Sequence, residues 1–290
     1  MVKTLSNKET SQGIKKLNTL ISFMSAHTNP FAYVVFNFIF PIDFTLIEIS
    51  EKYRNRLDVS LKDWGKEIAL VEASASLANL KIYHDTQWAE QGNFFLEVSG
   101  LSHPLLDQRQ IVTNDFSPES HQVVIITGSN MSGKSTFLRA IGINFCLANI
   151  GAPVFAQTFR YKPMPIVSCI RVSDSFRDGQ SYLYAEVQRM KTILNVAKSK
   201  EILFLIDEPL RGTNNKERLI GNQSYLKQIL DAGACGFIST HDLELTQLAS
   251  ENPKVTNKHF SEKWSEEDLK FDYKIKPGPS ESTNALKILA

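Results

Sequence analysis

A short apolar run, VVIIT (residues 123–127), leads straight into GSNMSGKST (residues 128–136), and no other stretch constrains the fold as strongly. Residues 128–135 fit the spacing GxxxxGK[ST], which requires a strand before it and a helix after it. Both are legible here, because Leu138, Ile141, Phe145 and Ala148 recur at helical spacing beyond Lys134. Gly128 and Gly133 allow the backbone to turn so that successive N–H groups face an anion, and the following helix adds its positive N-terminal end. Lys134 is expected to reach the β and γ phosphates of a nucleotide, and the Ser135 hydroxyl to ligate magnesium. Ser129, Asn130, Met131, Ser132 and Thr136 complete the loop.

Binding alone does not require hydrolysis, but a second run, EILFLIDE (residues 201–208), points to it. It reads as a central parallel strand, too apolar to expose either face. Asp207 and Glu208 then stand at its C-terminal edge, where α/β sheets place their ligands. Asp207 suits an outer contact to magnesium, and Glu208 suits a general base that polarises an attacking water. Another apolar run, CGFIST, leads into His241 on the same expected edge, within reach of a γ phosphate. Ahead of EILFLIDE, Leu183, Val187, Met190, Leu194 and Ala197 mark a further helix. Strands alternating with helices predict an α/β fold with a mostly parallel sheet flanked by helices.

The chain of 290 residues carries 32 Lys+Arg against 31 Asp+Glu, a net charge of +1, so bulk electrostatics does not advertise nucleic acid. Cys146, Cys169 and Cys235 are isolated in sequence and read as reduced core thiols of a cytoplasmic protein. The polar N-terminus lacks the apolar core of a secretory signal. Residues 31–47 are strongly apolar, yet Asn37, Pro41 and Asp43 interrupt them, and the run falls short of the ~20 residues that span a bilayer. They are expected to form a buried pair of short helices, with membrane or partner contact as the alternative. From Tyr53 the apolar positions continue through Leu57, Leu61, Trp64, Ile68, Val71, Ala75, Ala78 and Ile82, a long helix with a coiled-coil-like seam. Plain helical packing and a rigid lever between domains both fit it. A boundary near Gly92 separates a helical segment (1–92) from the α/β part (93–290).

These motifs resemble the ATPase domain of the MutS DNA mismatch repair proteins, a branch of the ABC-type P-loop ATPases. The family's phosphate loop reads TGPNMGGKST, against TGSNMSGKST at residues 127–136. Its acidic strand ends in DE followed by RGT, against DEPLRGTN here, and its THxxELTQL is matched by THDLELTQL at residues 240–248. Ser129, Ser132, Pro209 and Leu210 depart from the family; the last two adjoin the base and bear on hydrolysis rate more than on the site itself.

The resemblance implies an ABC-type P-loop ATPase preceded by an all-α lever or core segment, with ATP and Mg2+ as cofactors. It implies a composite site in which ATP joins two copies as a homodimer. Ser181 would cap the γ phosphate of the partner, Glu186 matches the family's acid, and Gly212, Thr213 and Asn214 form the D-loop. Adenine would lie near Ile111 and Asn114. DNA binding would come through domains outside this chain, since no room remains for a mismatch-reading domain. Residues 95–97, FLE, repeat that domain's Phe-x-Glu wedge but fall on the first ATPase strand and read as coincidence. Some similar ATPases carry membrane segments upstream, so a membrane-tethered parent is the alternative to a repair clamp. A transporter subunit is not expected, because GQSYLYAEV is no LSGGQ-like signature.

Overall fold

Nothing between residues 42 and 83 breaks a helix except Gly65, and one helix, α1 (Ile42–Tyr83), runs through the whole stretch. The computed structural model of the chain describes residues 42–107, 111–117, 122–170, 182–265 and 268–280, with Lys15, Asn18, Thr19, Ser22 and Val34 besides. Two compact units divide between Ser76 and Leu77. The apolar run at 31–47 lies outside the described residues up to 41, except Val34; from Ile42 onward it belongs to α1. Phe44 and Ile47 are exposed there, so this part is neither a separate short helix nor buried. Continuous helix propagation past Asp43 explains the difference. Along the expected seam Ile68, Val71 and Ile82 are also exposed. Among the described residues no helix is long and apolar enough to cross a membrane.

The second unit is mixed α/β. Its strands are β1 (Gln87–Trp88), β2 (Glu90–Gln91), β3 (Leu96–Leu101), β4 (Asn114–Phe116), β5 (Val123–Thr127), β6 (Pro153–Val154), β7 (Thr158–Tyr161), β8 (Ile166–Cys169), β9 (Leu203–Asp207), β10 (Cys235–Ser239), β11 (Val255–Ser265) and β12 (Asp268–Pro277). Helices α2 (Lys134–Asn149), α3 (Tyr182–Ala197), α4 (Asn215–Asp231) and α5 (Leu248–Glu251) connect them, with a 3-10 turn at Leu243–Gln247. The main sheet has the order β12-β11-β5-β10-β9-β8, parallel throughout except for β12, which returns antiparallel to β11. A smaller sheet runs β2-β7-β3-β4, and β1 pairs with β6.

Because side chains alternate along a strand, each central strand feeds two cores. Val124, Ile126, Leu203, Leu205 and Phe237 turn to one face and pack with α2 and the smaller sheet. Val123, Ile125, Phe204, Ile206 and Ile238 turn to the other, against Met190 and Ile193 of α3 and Leu226 and Ile229 of α4. The helical stripe expected on α2 is buried at all four positions, Leu138, Ile141, Phe145 and Ala148. Cys169 and Cys235 lie in these cores, and burial pushes their thiols up to about 11 and about 12. Cys146, expected in the core, is exposed, because it follows Phe145 off the buried stripe of α2. Phe95 packs edge-on against Phe237 in the core, as a coincidental tripeptide would.

Gly236 sits in β10 between two paired neighbours, and a Cβ there would lie 2.1 Å from the Phe204 carbonyl oxygen. Backbone rather than a flexible side chain occupies that space. Gly236→Ala should therefore destabilise the fold by about 2–3 kcal/mol, the range of core overpacking, as read from urea unfolding.

Candidate functional site

Three neighbouring parallel strands end on one edge of the sheet. Ser239 of β10 is in register with Ile126 of β5 on one side and with Asp207 of β9 on the other. The chain leaving each strand delivers the phosphate-loop sequence after β5, Glu208 after β9 and His241 after β10. Residues far apart in sequence thus meet because parallel pairing aligns their strand ends.

The loop after β5 turns through Gly128 at φ 143 and Gly133 at φ 112, values that other residues rarely adopt. At Gly128 a Cβ would also meet the Phe260 carbonyl oxygen at 2.7 Å. Lys134, buried at the start of α2, donates to the carbonyls of Gly128 and Ser129, each at 2.8 Å. Burial holds its pKa below the ordinary lysine value, with the carboxylates of Glu208 and Asp207 opposing. The hydroxyls of Ser129 and Ser132 are buried without hydrogen-bond partners among the described residues. Met131 projects from the loop tip, 84% exposed.

Opposite the loop stands a carboxylate between cations. Glu208 Oε1 lies 2.7 Å from His241 Nε2 and 3.8 Å from Lys134 Nζ, and Arg211 reaches Oε2 at 3.0 Å. His241 Nε2 also lies 3.0 Å from Asn130 Oδ1. Lys134 Nζ lies 3.4 Å from the same nitrogen, and the nearer Glu208 carboxylate takes the Nε2 hydrogen. The His241 hydrogen bond, aided by the nearby charges and opposed by burial, depresses the Glu208 carboxyl to about 2. Asp207 is buried and accepts from Ser239 Oγ at 2.5 Å, while the same hydroxyl accepts from the Glu208 N–H at 3.1 Å. Asp242, next to His241, is clasped by Arg218 of α4 through contacts of 2.8 and 2.5 Å.

The turn after β9 is strained. Glu208 and Leu210 have φ of 49 and 59, a left-handed conformation that costs a non-glycine residue roughly 1–2 kcal/mol. Glu186 of α3 accepts from the Leu210 N–H at 3.0 Å. Beyond it, Asn214 caps α4 by accepting from Glu217 N, and Thr213 donates to the Glu217 carboxylate at 2.6 Å. Gly212 is exposed beside them. Ser181 lies outside the described residues.

A cavity of about 400 Å³ opens beside the phosphate-loop helix, lined by Ile111, Val112, Asn114, Thr136, Phe137 and Tyr273 among others. Asn114 spends part of its amide on the β12 backbone: it donates to Tyr273 O at 3.0 Å and accepts from Ile275 N at 2.7 Å. Tyr273 of β12 was not legible as a site residue. It stands where the β11–β12 register shifts, between Phe271 and Ile275, with its carbonyl bonded to Asn114, and no local motif signals that. Arg211 was likewise missed as a partner of Glu208, although its place three residues on could have suggested it.

A family model described as MutS domain V matches residues 124–290. Among curated proteins, DNA mismatch repair protein MutS 2 of Halobacterium salinarum is 29% identical over 228 residues, covering 77% of this chain and 26% of that protein. The DNA mismatch repair protein MutS of Rhodopirellula baltica is 30% identical over 239 residues, 79% of this chain and 26% of that protein. That of Thermus aquaticus is 28% identical over 247 residues, 84% and 30%. The chain therefore spans between about a quarter and three tenths of the length of these relatives.

Above its ordinary value of 4.5 the Glu208 carboxyl is charged whether the chain is folded or not, and the depressed folded value of about 2 means that this charge stabilises the fold. That contribution fades as pH falls from about 4.5 towards about 2. Glu208→Gln should flatten the stability–pH curve in this window relative to the unmodified chain, as measured by urea unfolding at a series of pH values. Equal slopes would mean that the carboxylate is not held charged by its neighbours.

Proposed function

The chain belongs to the MutS family, and from that premise we propose that it binds and hydrolyses ATP with Mg2+ at the edge formed by β5, β9 and β10. Residues 93–290 act as an ABC-type ATPase domain, to which the strand residues 87–91 join by pairing with β6 and β7 although the sequence puts the boundary near Gly92, and the helical residues before them act as the end of a lever segment. One observation carries this reading: a buried lysine in a glycine-turned loop faces a carboxylate–histidine pair across adjoining strand ends.

The residues present fit the proposed ligands. Successive N–H groups from Gly128 to Thr136 and the start of α2 suit a triphosphate, and Lys134 is already at the loop's centre to receive it. The available metal donors are the Ser135 hydroxyl and the Asp207 carboxylate, both hard oxygens. Among the described residues no group of three or more His, Cys, Asp or Glu could hold a metal. Magnesium suits such a sparse set, since it completes its shell with water and substrate phosphates. When bound, it would neutralise charge developing on those phosphates. The cavity of about 400 Å³ has mostly apolar walls and suits a flat purine, with the Tyr273 ring and Ile111 among its walls.

Glu208 accepts the proton of the attacking water. Its depressed pKa keeps it ionised at neutral pH and makes it a weak base, so it acts chiefly by orienting and polarising the water. His241 donates to Glu208 through Nε2 and is placed to turn the same hydrogen towards a γ phosphate. Ser181 and the residues at 212–214 belong to the parts that meet a second copy, so that ATP joins a homodimer and hydrolysis releases it, whereas Glu186 is buried against its own chain's turn at Leu210. As part of a longer protein, the domain would couple this cycle to DNA in mismatch repair, in the cytoplasm.

Lys134→Ala is expected to abolish ATP binding in an equilibrium titration. Glu208→Gln should keep the affinity, slow hydrolysis by about 10²–10⁴-fold, and accumulate an ATP-bound dimer in sedimentation. A Glu208→Gln chain that turns over ATP at the unmodified rate would remove Glu208 from the role of base.

A further inference from the structure

Glu186 lies near the start of α3, 7% exposed, and its carboxylate reaches across to the turn that follows β9. Oε1 accepts from the backbone N–H of Leu210 at 3.0 Å. Oε2 is buried and has no hydrogen-bond partner among the described residues. Burial holds its pKa above the ordinary carboxyl value, with the Leu210 bond opposing. A buried carboxyl costs stability unless a partner offsets it, and here the partner is one backbone N–H of a strained turn.

That turn sets the direction of Glu208. Its first residue is fixed by the Glu208 N–H donating to Ser239, and Asn222 of α4 donates weakly to Pro209 O at 3.4 Å. Leu210 is the second left-handed residue, and its side chain lies over Gly221, where a Cβ would come within 2.7 Å of it. A leucine relaxing towards negative φ would swing the peptide groups on both sides. Glu186 holds the N–H that such a swing would displace.

We propose that Glu186 is a positioning residue of the hydrolytic centre within its own chain: by accepting from Leu210 N–H it fixes the turn at 208–210 and so the aim of the Glu208 carboxylate. This rests on the reading of Glu208 as the base. It makes the acceptor oxygen, not the charge, the property that matters. It also ties α3 to the base through a single hydrogen bond, so that a shift of α3 would be felt at Glu208.

The test compares the full chain with Glu186→Gln, which keeps the acceptor, and Glu186→Leu, which removes it. Misplacing a catalytic group by about 1 Å costs on the order of 10²-fold, so Glu186→Leu should lower kcat by about 10- to 100-fold with KM for ATP little changed. Glu186→Gln should restore most of the rate. If Glu186→Leu does not fold, Glu186→Ser, too short to reach Leu210, takes its place. A folded Glu186→Leu chain with unchanged kcat, a rise in KM alone, or an equal loss in Glu186→Gln would each overturn the proposal. Hydrogen exchange at the Leu210 amide separates the two readings. Should the unmodified chain fail to hydrolyse ATP, the reading of the base fails, yet exchange about tenfold faster in Glu186→Leu would still support the hold on the turn. Equal exchange in the two chains would refute it.

Discussion

Parallel hydrogen bonding between β5, β10 and β9 sets the heights at which three chains leave the sheet, and every polar contact at the site follows from that register. Ser239 pairs with Asp207 and with Ile126, so a slip of one residue in either ladder would turn Asp207 to the opposite face. Both faces of these strands are apolar, with Val124 and Ile126 in one core and Val123 and Ile125 in the other. The register itself, seen in the pairing of Ser239 with Ile126 and Asp207, brings the chain ends that carry a lysine, two carboxylates and an imidazole to one edge.

Charge balance then explains why the cluster is stable as it stands. Lys134 is buried, and a buried ammonium without partners would be costly. Two loop carbonyls accept from it, and Glu208 stands 3.8 Å away. Glu208 in turn is flanked by Arg211 and by the His241 N–H, which is why its proton is held so weakly. Any anion entering the loop meets a cation held by two loop carbonyls, by the Glu208 carboxylate and, at 3.4 Å, by His241 Nε2. The strain at Glu208 and Leu210 belongs to the same design, since a relaxed turn would carry the carboxylate away from His241.

Much of this was legible in the sequence, and for local reasons. The glycine-turned loop at 128–136, the acidic pair and His241 each stand at or just beyond the end of an apolar strand, so pattern and position coincide. The face of α2 was legible from spacing alone, as were the strands β5, β9 and β10. What stayed hidden depends on contacts between distant residues. Glu186 meets Leu210 across 24 positions, and Asn114 meets Ile275 across 161. No spacing rule reaches that far. The apolar run near residue 42 misled for a different reason: its hydrophobicity suggested burial, whereas Phe44 and Ile47 stand exposed on a helix that simply continues. Hydrophobicity reports what a residue gains by burial, not whether this chain supplies the cover.

Asn114 shows how a residue that lines a pocket can also bind together the strands around it. Both ends of its amide are used by the β12 backbone, and Lys274 also reaches the carbonyl of the preceding Thr113. These bonds fasten β4 to the returning hairpin and hold Tyr273, at φ 52, in place on the cavity wall. One amide N–H and one lone pair of Asn114 are spent in this way, which fixes the orientation of its side chain beside the apolar walls of the cavity. Tyr273 lines the cavity from β12, an edge strand of the main sheet, so the bonds that fasten β4 to that strand also hold two sides of the cavity wall together.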